Sequence, residues 1–403
     1  MADTADSFLP YGRQSLDADD IAAVRRALES DFLTTGPEVA AFEAELATAT
    51  GAAEAVVCSS GTAGLHLAAA ALELGPGDAV AVPAITFVAT ANCARYCGAD
   101  VVFTDVDPDS GLMTSETLET AIAGKEIKAV LPVHLAGQSC DMTGISEIAR
   151  KYGAAVIEDA AHAIGTTGAP GDPDCRIGDN RHSDMAAFSF HPVKTMTSGE
   201  GGAVTTNDAG MAEKMRRLRH HAMSLDPENW SDSGRREEAI DGRHPWYYET
   251  AQLGFNYRIT DIQCALGRSQ LRKLPGFKAR RSALMARYTN ALMPLAPTVR
   301  PITRIPDCDP AWHLCPVLID FEAAGVSRAD VMRRMRTAGI STQVHYVPVP
   351  DQPYYRNLYG PGDYPGAQAW YERTLSLPLH PAMKDADVTR VTDALAAALN
   401  LSL

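Results

Sequence analysis

Between residues 55 and 157 the chain repeats one pattern: a short, almost unbroken apolar run, then a stretch with helical spacing, then another apolar run. The runs are Ala55 to Cys58, Ala79 to Val82, Val101 to Thr104, Ala129 to Val133 and Ala155 to Ile157. The helical stretches between them are Thr62 to Leu74, Phe87 to Cys97, Ser115 to Ala123 and Thr143 to Lys151. Strands that lack polar alternation are buried on both faces, so they belong to a mostly parallel sheet covered by helices on each side. An α/β core follows. Upstream, Asp17 and Asp19 are cap candidates for a helix carrying Ile21, Val24 and Leu28, which runs to the break at Asp31 to Pro37; a second short helix ends near Gly51.

After Ile157 the rhythm changes. Gly168 to His182 reads as a Gly/Pro/Asp-rich loop, Met185 to Phe190 and Gly202 to Thr206 as two strands, and Asp208 to about His221 as a helix. Leu225 to Thr250 is polar and contains Pro227, Gly242 and Pro245, which predicts a long excursion, a kind of loop that is usually functional. Two helical patterns, Thr260 to Leu274 and Phe277 to Leu292, precede a smaller α+β region. That region has strand-like Pro316 to Ile319 and Thr342 to His345, and helices near Arg328 to Ala338 and Asp385 to Leu399. The expected division is a large α/β domain over residues 14–274 and a small C-terminal α+β domain over 275–403, joined by the N-terminal segment 1–13.

Composition excludes several roles. Across 403 residues, 50 Asp+Glu against 36 Lys+Arg leave a net charge of −14, the opposite of the broad basic surface that nucleic-acid or anionic-membrane binding requires. An anionic ligand would need a locally positive site. The longest apolar stretches, such as His66 to Leu74 and Ala394 to Leu401, fall far short of the roughly 20 residues that span a bilayer. Met1 to Gln14 carries Asp3 and Asp6 and lacks a basic start followed by an apolar run, so no secretory signal is expected and the cytoplasm is the expected location. The eight cysteines (58, 93, 97, 140, 175, 264, 308 and 315) include no CxxC pair and read as buried thiols, with neither a disulfide framework nor a metal site expected.

Ligands of open α/β sheets sit beyond the carboxyl ends of the strands, so the residues after each run carry the chemistry. Ser59-Ser60-Gly61-Thr62-Ala63 follows the first run and opens a helix, which suits both a capped turn and a phosphate site. Glu158-Asp159-Ala160-Ala161-His162 places Asp159 where a ligand would lie. Phe188-Ser189-Phe190-His191-Pro192-Val193-Lys194 precedes Gly199-Glu200-Gly201-Gly202; with only 8 lysines against 28 arginines, Lys194 stands out. A lysine amine forms a Schiff base with an aldehyde, a carboxylate keeps a pyridine ring cationic and a helix start anchors a phosphate. Together they describe a pyridoxal phosphate (PLP) site. The competing NAD reading fails because the first strand–helix turn has no GxGxxG.

These motifs, with Thr86-Phe87-Val88-Ala89-Thr90 and Leu253-Gly254-Phe255-Asn256-Tyr257-Arg258-Ile259-Thr260-Asp261-Ile262-Gln263, resemble the DegT/DnrJ/EryC1/StrS sugar aminotransferases, which have the aspartate-aminotransferase-type fold (PLP fold type I), over nearly the whole chain. Within that family, Ser30 to Thr34, Pro245 to Glu249 and His345-Tyr346-Val347-Pro348-Val349 resemble the UDP-4-amino-4,6-dideoxy-N-acetyl-β-L-altrosamine transaminases of pseudaminic acid biosynthesis. The resemblance implies catalytic roles for Lys194, as Schiff-base lysine and proton shuttle, and for Asp159, as partner of the ring nitrogen. It implies cofactor contacts from Thr62, Ala63, Ser189, Phe87 and His162, and from Asn256 across a homodimer with shared active sites. It implies a nucleotide-sugar site lined by Tyr11, Asp31, Phe32, Leu33, Thr34, Ser60, Ser189, Asn256, His313, Leu314, Cys315 and Pro316, although Cys315 stands where an aromatic is common in the subfamily.

The implied reaction moves an amino group from L-glutamate, through the pyridoxamine form of the cofactor, to C4 of a UDP-linked 4-keto-6-deoxy sugar. Arg258 is a candidate for the diphosphate or for an ordinary ion pair. Arg216 to His221 reads as a solvated helix end, and Trp246-Tyr247-Tyr248 as core, dimer contact or lid. Three alternatives remain: a same-family enzyme for a D-gluco-configured or other keto sugar, a dehydratase, and a non-catalytic PLP-fold protein. Relatives that dehydrate sugars carry histidine in place of the lysine, and a non-catalytic homologue should lack Lys194 or Asp159.

Overall fold

The computed structural model describes residues 8–240 and 246–402; Asp3 and Asp6 of the leader reading, and Gly242 and Pro245 of the excursion, lie outside the described residues. The expected apolar runs form strands β1 (Glu54–Cys58), β2 (Ala79–Pro83), β3 (Asp100–Thr104), β4 (Ala129–Val130) and β5 (Ala155–Asp159). Met185–Ser189 and Gly202–Thr206 are β8 and β9. All seven join one sheet in the order β1-β9-β8-β5-β4-β2-β3. Pairing from β8 through to β3 is parallel, and β9 is antiparallel to both neighbours. Every strand except β9 therefore points its carboxyl end to the same edge. The expected fold type I architecture, a large and mostly parallel sheet between helices, is what the chain adopts.

Helix Gly61–Ala71 shows how deep the core is. Eight of its eleven residues are buried, since it lies between β8–β9 and the helices Val88–Tyr96 and Ala209–Arg219. A helix with apolar residues on nearly all sides cannot sit at a surface. On the other side of the sheet, Phe42, Phe188 and Phe190 are almost fully buried, each contributing roughly 1.5–3 kcal/mol by area.

Four readings need correction. Gly168 to His182 is largely a hairpin of β6 (Thr167–Ala169) and β7 (Asp172–Arg176), whose Gly- and Asp-rich strands give no apolar signal. The 225–250 excursion is flanked by a two-residue ladder, β10 (Met223–Ser224) with β11 (Glu249–Thr250), and carries the helix Ser233–Ile240. Thr342 to His345 makes only the single bridge Gln343↔Ser376. The two patterns around Pro275 are one helix, Asp261–Leu292, capped by the reciprocal Thr260 and Gln263 pair. Its first half packs on the helices Ala18–Leu28 and Pro37–Thr50 and its second half on Asp385–Ala398, so the expected 274/275 division falls inside it. Beyond it, β12 (Val299–Pro301), β13 (Cys315–Ile319) and β14 (Thr374–Leu377) form an antiparallel sheet, whose apolar residues share one core with a face of the large sheet.

Candidate active site

The ends of β1 and β8 and the start of β9 meet at one place, because Cys58 and Ser189 both register on Gly202. Ser60 caps the helix that follows β1, its Oγ accepting the Ala63 N–H at 3.1 Å. The first-turn N–H groups of Gly61 and Thr62 have no acceptor inside the helix, as at any helix start, and the dipole favours an anion there. Glycine is required at this spot. A Cβ on Gly202 would lie 2.4 Å from the Ser60 carbonyl oxygen and 2.7 Å from the Gly61 nitrogen; one on Gly61 would lie 2.8 Å from Ser189 Cβ. The result is a cup of bare backbone, with Thr62, Ala63 and Ser189 around it and the Ser189 hydroxyl at its rim.

Strand alternation separates the two acids that end β5. Glu158 turns away and is tied off by the His134 imidazole at 2.8 Å and the Ser183 hydroxyl. Asp159 is also buried, and each oxygen accepts one hydrogen bond, Oδ2 from the Thr90 hydroxyl at 2.6 Å and Oδ1 from the Ala161 N–H at 3.1 Å, which leaves about half of the carboxylate's acceptor capacity free. The Thr86 hydroxyl backs Thr90 at 2.6 Å. Thr90 lies in the first turn of the helix after β2, a supporting residue whose role its motif does not disclose.

Lys194 sits in the β8–β9 connection, where its N–H donates to the His191 carbonyl at 2.9 Å and the turn is closed by Phe190 N–H on the Gly201 carbonyl at 2.8 Å. Buried Phe190 anchors that turn against Phe42, ring centroids 5.4 Å apart. No hydrogen bond is made by Lys194 Nζ among the described residues. Burial lowers its pKa to about 8, with the Asp159 charge opposing the fall. At that pKa about a tenth of the amine is neutral at pH 7, where an ordinary lysine is almost wholly protonated, and the neutral form is the one a nucleophile requires.

Aromatic side chains wall the same space. Tyr346 OH lies 3.1 Å from His162 Nε2 with the two rings stacked, and His313 packs on His162 at 4.4 Å. Burial, and then the Lys194 and His345 charges, hold His162 far below the usual imidazole range; burial and neighbouring cations do the same to His313. Both rings are thus neutral, and the Nδ1 atom of each is buried without a hydrogen-bond partner among the described residues. Phe87, about half exposed, approaches Tyr346 at 6.2 Å, and Tyr11 reaches His345 at 5.7 Å, while Gly12 lies against Val193. The sequence places Tyr346 and His345 in a stretch that carries the subfamily resemblance and gives neither a role in the site. Only the fold, by bringing the segment after the helix Arg328–Thr337 over β5, reveals them.

The other expected residues lie elsewhere. Leu314, Cys315 and Pro316 are buried, the first two in the apolar core of the small sheet, so only His313 of that stretch enters the cluster. Asp31 to Thr34 is exposed and pinned to the start of the long helix through Leu33 O and Asp261 N at 3.0 Å. Asn256 is exposed and bridges to His220, and the carbonyl of the next residue, Tyr257, accepts the Ser59 N–H at 2.8 Å.

The model of the DegT/DnrJ/EryC1/StrS aminotransferase family matches residues 14–396. The chain belongs to that family. It is 39% identical over 398 residues to the spore coat polysaccharide biosynthesis protein SpsC of Bacillus subtilis, covering 98% of each. Its structure resembles Helicobacter pylori PseC, an aminotransferase involved in the biosynthesis of pseudaminic acid (27% identity, 98% and 100% of the two chains, TM-score 0.86). It also resembles Streptococcus pneumoniae Spr1654 in its PLP-form (27%, 98% and 99%, TM-score 0.84). The protein is a PLP-dependent aminotransferase. The residues present fit that cofactor: a buried carboxylate for the ring nitrogen, a free amine for the aldehyde, and a glycine-bared helix start for the phosphate.

Proposed function

We propose that this aminotransferase moves an amino group from L-glutamate to C4 of a UDP-linked 4-keto-6-deoxy-N-acetyl hexose, giving the UDP-4-amino-4,6-dideoxy-N-acetyl-β-L-altrosamine of pseudaminic acid biosynthesis. One observation carries the transaminase part: Asp159 ends β5 and Lys194 lies in the connection that leaves the neighbouring β8, close enough for their charges to interact, with no hydrogen bond on the amine among the described residues and the carboxylate half-occupied. Likeness to PseC supports the sugar. Homodimer formation with shared sites, in which Asn256 completes the partner's phosphate site, is part of the proposal and suits the exposure of Asn256 in the single chain.

PLP, when bound, supplies an aldehyde and an electron-withdrawing ring. Asp159, kept in place by Thr90 and the Ala161 N–H, would hold the ring nitrogen. Gly61, Thr62, Ala63 and Ser189 would hold the phosphate, and Phe87 and His162 would flank the ring. Lys194 Nζ would take a proton from the donor's α-carbon and deliver it again, a task its lowered pKa suits. Neutral His162 keeps a further positive charge away from that amine.

A second reading has its own support: the higher identity to SpsC favours a different nucleotide-linked keto sugar, within the same chemistry. The test is incubation with L-glutamate and a panel of UDP-4-keto sugars, with amino sugars followed by mass spectrometry. Amination of the 4-keto precursor of the altrosamine product upholds the proposal. Amination of a D-gluco-configured sugar alone transfers it to the second reading.

A further inference from the structure

A cavity of about 290 Å³ opens beside the start of the helix Pro37–Thr50 and the end of Ala209–Arg219, lined by Arg216, Arg219, Arg258, His220, Glu43 and Thr35 among others. Three guanidinium groups face one carboxylate there. Glu43 serves two of them, accepting from Arg219 at 2.6 Å and from Arg216 at 3.3 Å, and Arg216 also holds Glu54 at 2.7 Å. Both also stand in the last turn of their helix, where cations offset its dipole. Ordinary structural pairing accounts for these two arginines.

Arg258 is different. Among the described residues it makes no ion pair, and its one hydrogen bond runs from Nη1 to His220 Nδ1 at 2.7 Å. Burial first, then the Arg258 charge, lowers the His220 pKa, so that ring is a neutral acceptor and cancels no charge. The rest of the guanidinium fork is left for something else, in a chain whose net charge is −14. The segment's alternation adds direction. Phe255 and Tyr257 stack together, ring centroids 5.0 Å apart, on the side of His66, which leaves Asn256 and Arg258 for the opposite side.

We propose that Arg258 binds the diphosphate of the nucleotide-sugar substrate, its fork taking two non-bridging oxygens and His220 holding it in place within the arginine cavity. The inference rests on the nucleotide-sugar reading above, and it places Arg258 in the same active site as Asn256, whichever subunit supplies the lysine. Arginine suits the task because its planar donors match phosphate oxygens in pairs.

The test is calorimetric titration of the PLP-loaded protein with UDP, inorganic pyrophosphate and uridine, for the wild type, Arg258→Gln and Arg258→Lys. Arg258→Gln should weaken UDP and pyrophosphate at least tenfold and leave uridine unchanged. Arg258→Lys, which retains charge without the fork, should fall between, and it carries the test should the glutamine variant not fold. UDP binding as tight in both variants as in the wild type overturns the proposal. Pyrophosphate that binds in an Arg258-dependent way, but is not displaced by UDP, upholds the anion site and overturns the UDP-sugar reading instead.

Discussion

Gly202→Ala isolates the cofactor cup from everything around it. The backbone at Gly202 is one any residue can adopt, so strain at φ does not enter; the cost comes from contact alone. The new methyl carbon would sit 2.4 Å from Ser60 O, 2.5 Å from Ser60 C and 2.7 Å from Gly61 N, all backbone atoms with no rotamer to yield. Restoring ordinary contact requires a shift of about 1 Å between β9 and the helix start, and forced overpacking of this size costs roughly 1–3 kcal/mol. A similar displacement of the Gly61 and Thr62 N–H groups removes one or two hydrogen bonds to a charged group, each worth about 1.5–3 kcal/mol. PLP affinity of the apoprotein, measured by fluorescence titration, should fall by roughly ten- to a hundredfold or more. The melting temperature should drop by a few degrees. Gly75→Ala is the control, because a Cβ there meets nothing within 4 Å. Unchanged PLP affinity in Gly202→Ala, with a melting temperature matching that of Gly75→Ala, would refute the reasoning.

Two further outcomes follow from the same site. Capture of PLP by the apoprotein, followed by absorbance, should accelerate with rising pH and level off above about 8, because burial favours the neutral Lys194 amine and the protonated form is lost as pH passes its folded pKa; a midpoint near the ordinary lysine value would contradict the burial account. Thr90→Val removes the hydroxyl that donates to Asp159 Oδ2 while conserving shape, and should cost about 1–3 kcal/mol in stability and reduce turnover; a variant with wild-type melting and wild-type kcat would show that Asp159 does not depend on that bond.

Much of this molecule is legible in the sequence because its central strands are buried on both faces. Val56 and Val57, Val80 to Val82 and Val156 to Ile157 carry the sheet in their composition alone. Where strands are polar or Gly-rich, as in Thr167–Ala169 and Asp172–Arg176, pairing with one another rather than burial forms them, and no apolar pattern announces it. Pro275 divided one helix into two readings because proline normally breaks a helix interior; packing of both halves along 32 residues overrides that preference here. Within the site, Asp159 and Lys194 are readable because they follow strands. Thr90, Tyr346 and His345 are not, since each acts through a neighbour distant in sequence, and no local spacing records that Tyr346 OH meets His162. Expected lining by Leu314 and Cys315 is replaced by core packing because β13 begins there and buries both.

The measurement closest to the centre of the account is borohydride reduction of the PLP-loaded protein followed by peptide mass mapping. The expected outcome is one pyridoxyl-modified residue, Lys194, and no modification in Lys194→Ala, which still binds PLP reversibly. Stable labelling of any other lysine, or equal labelling of the Lys194→Ala variant, would contradict it.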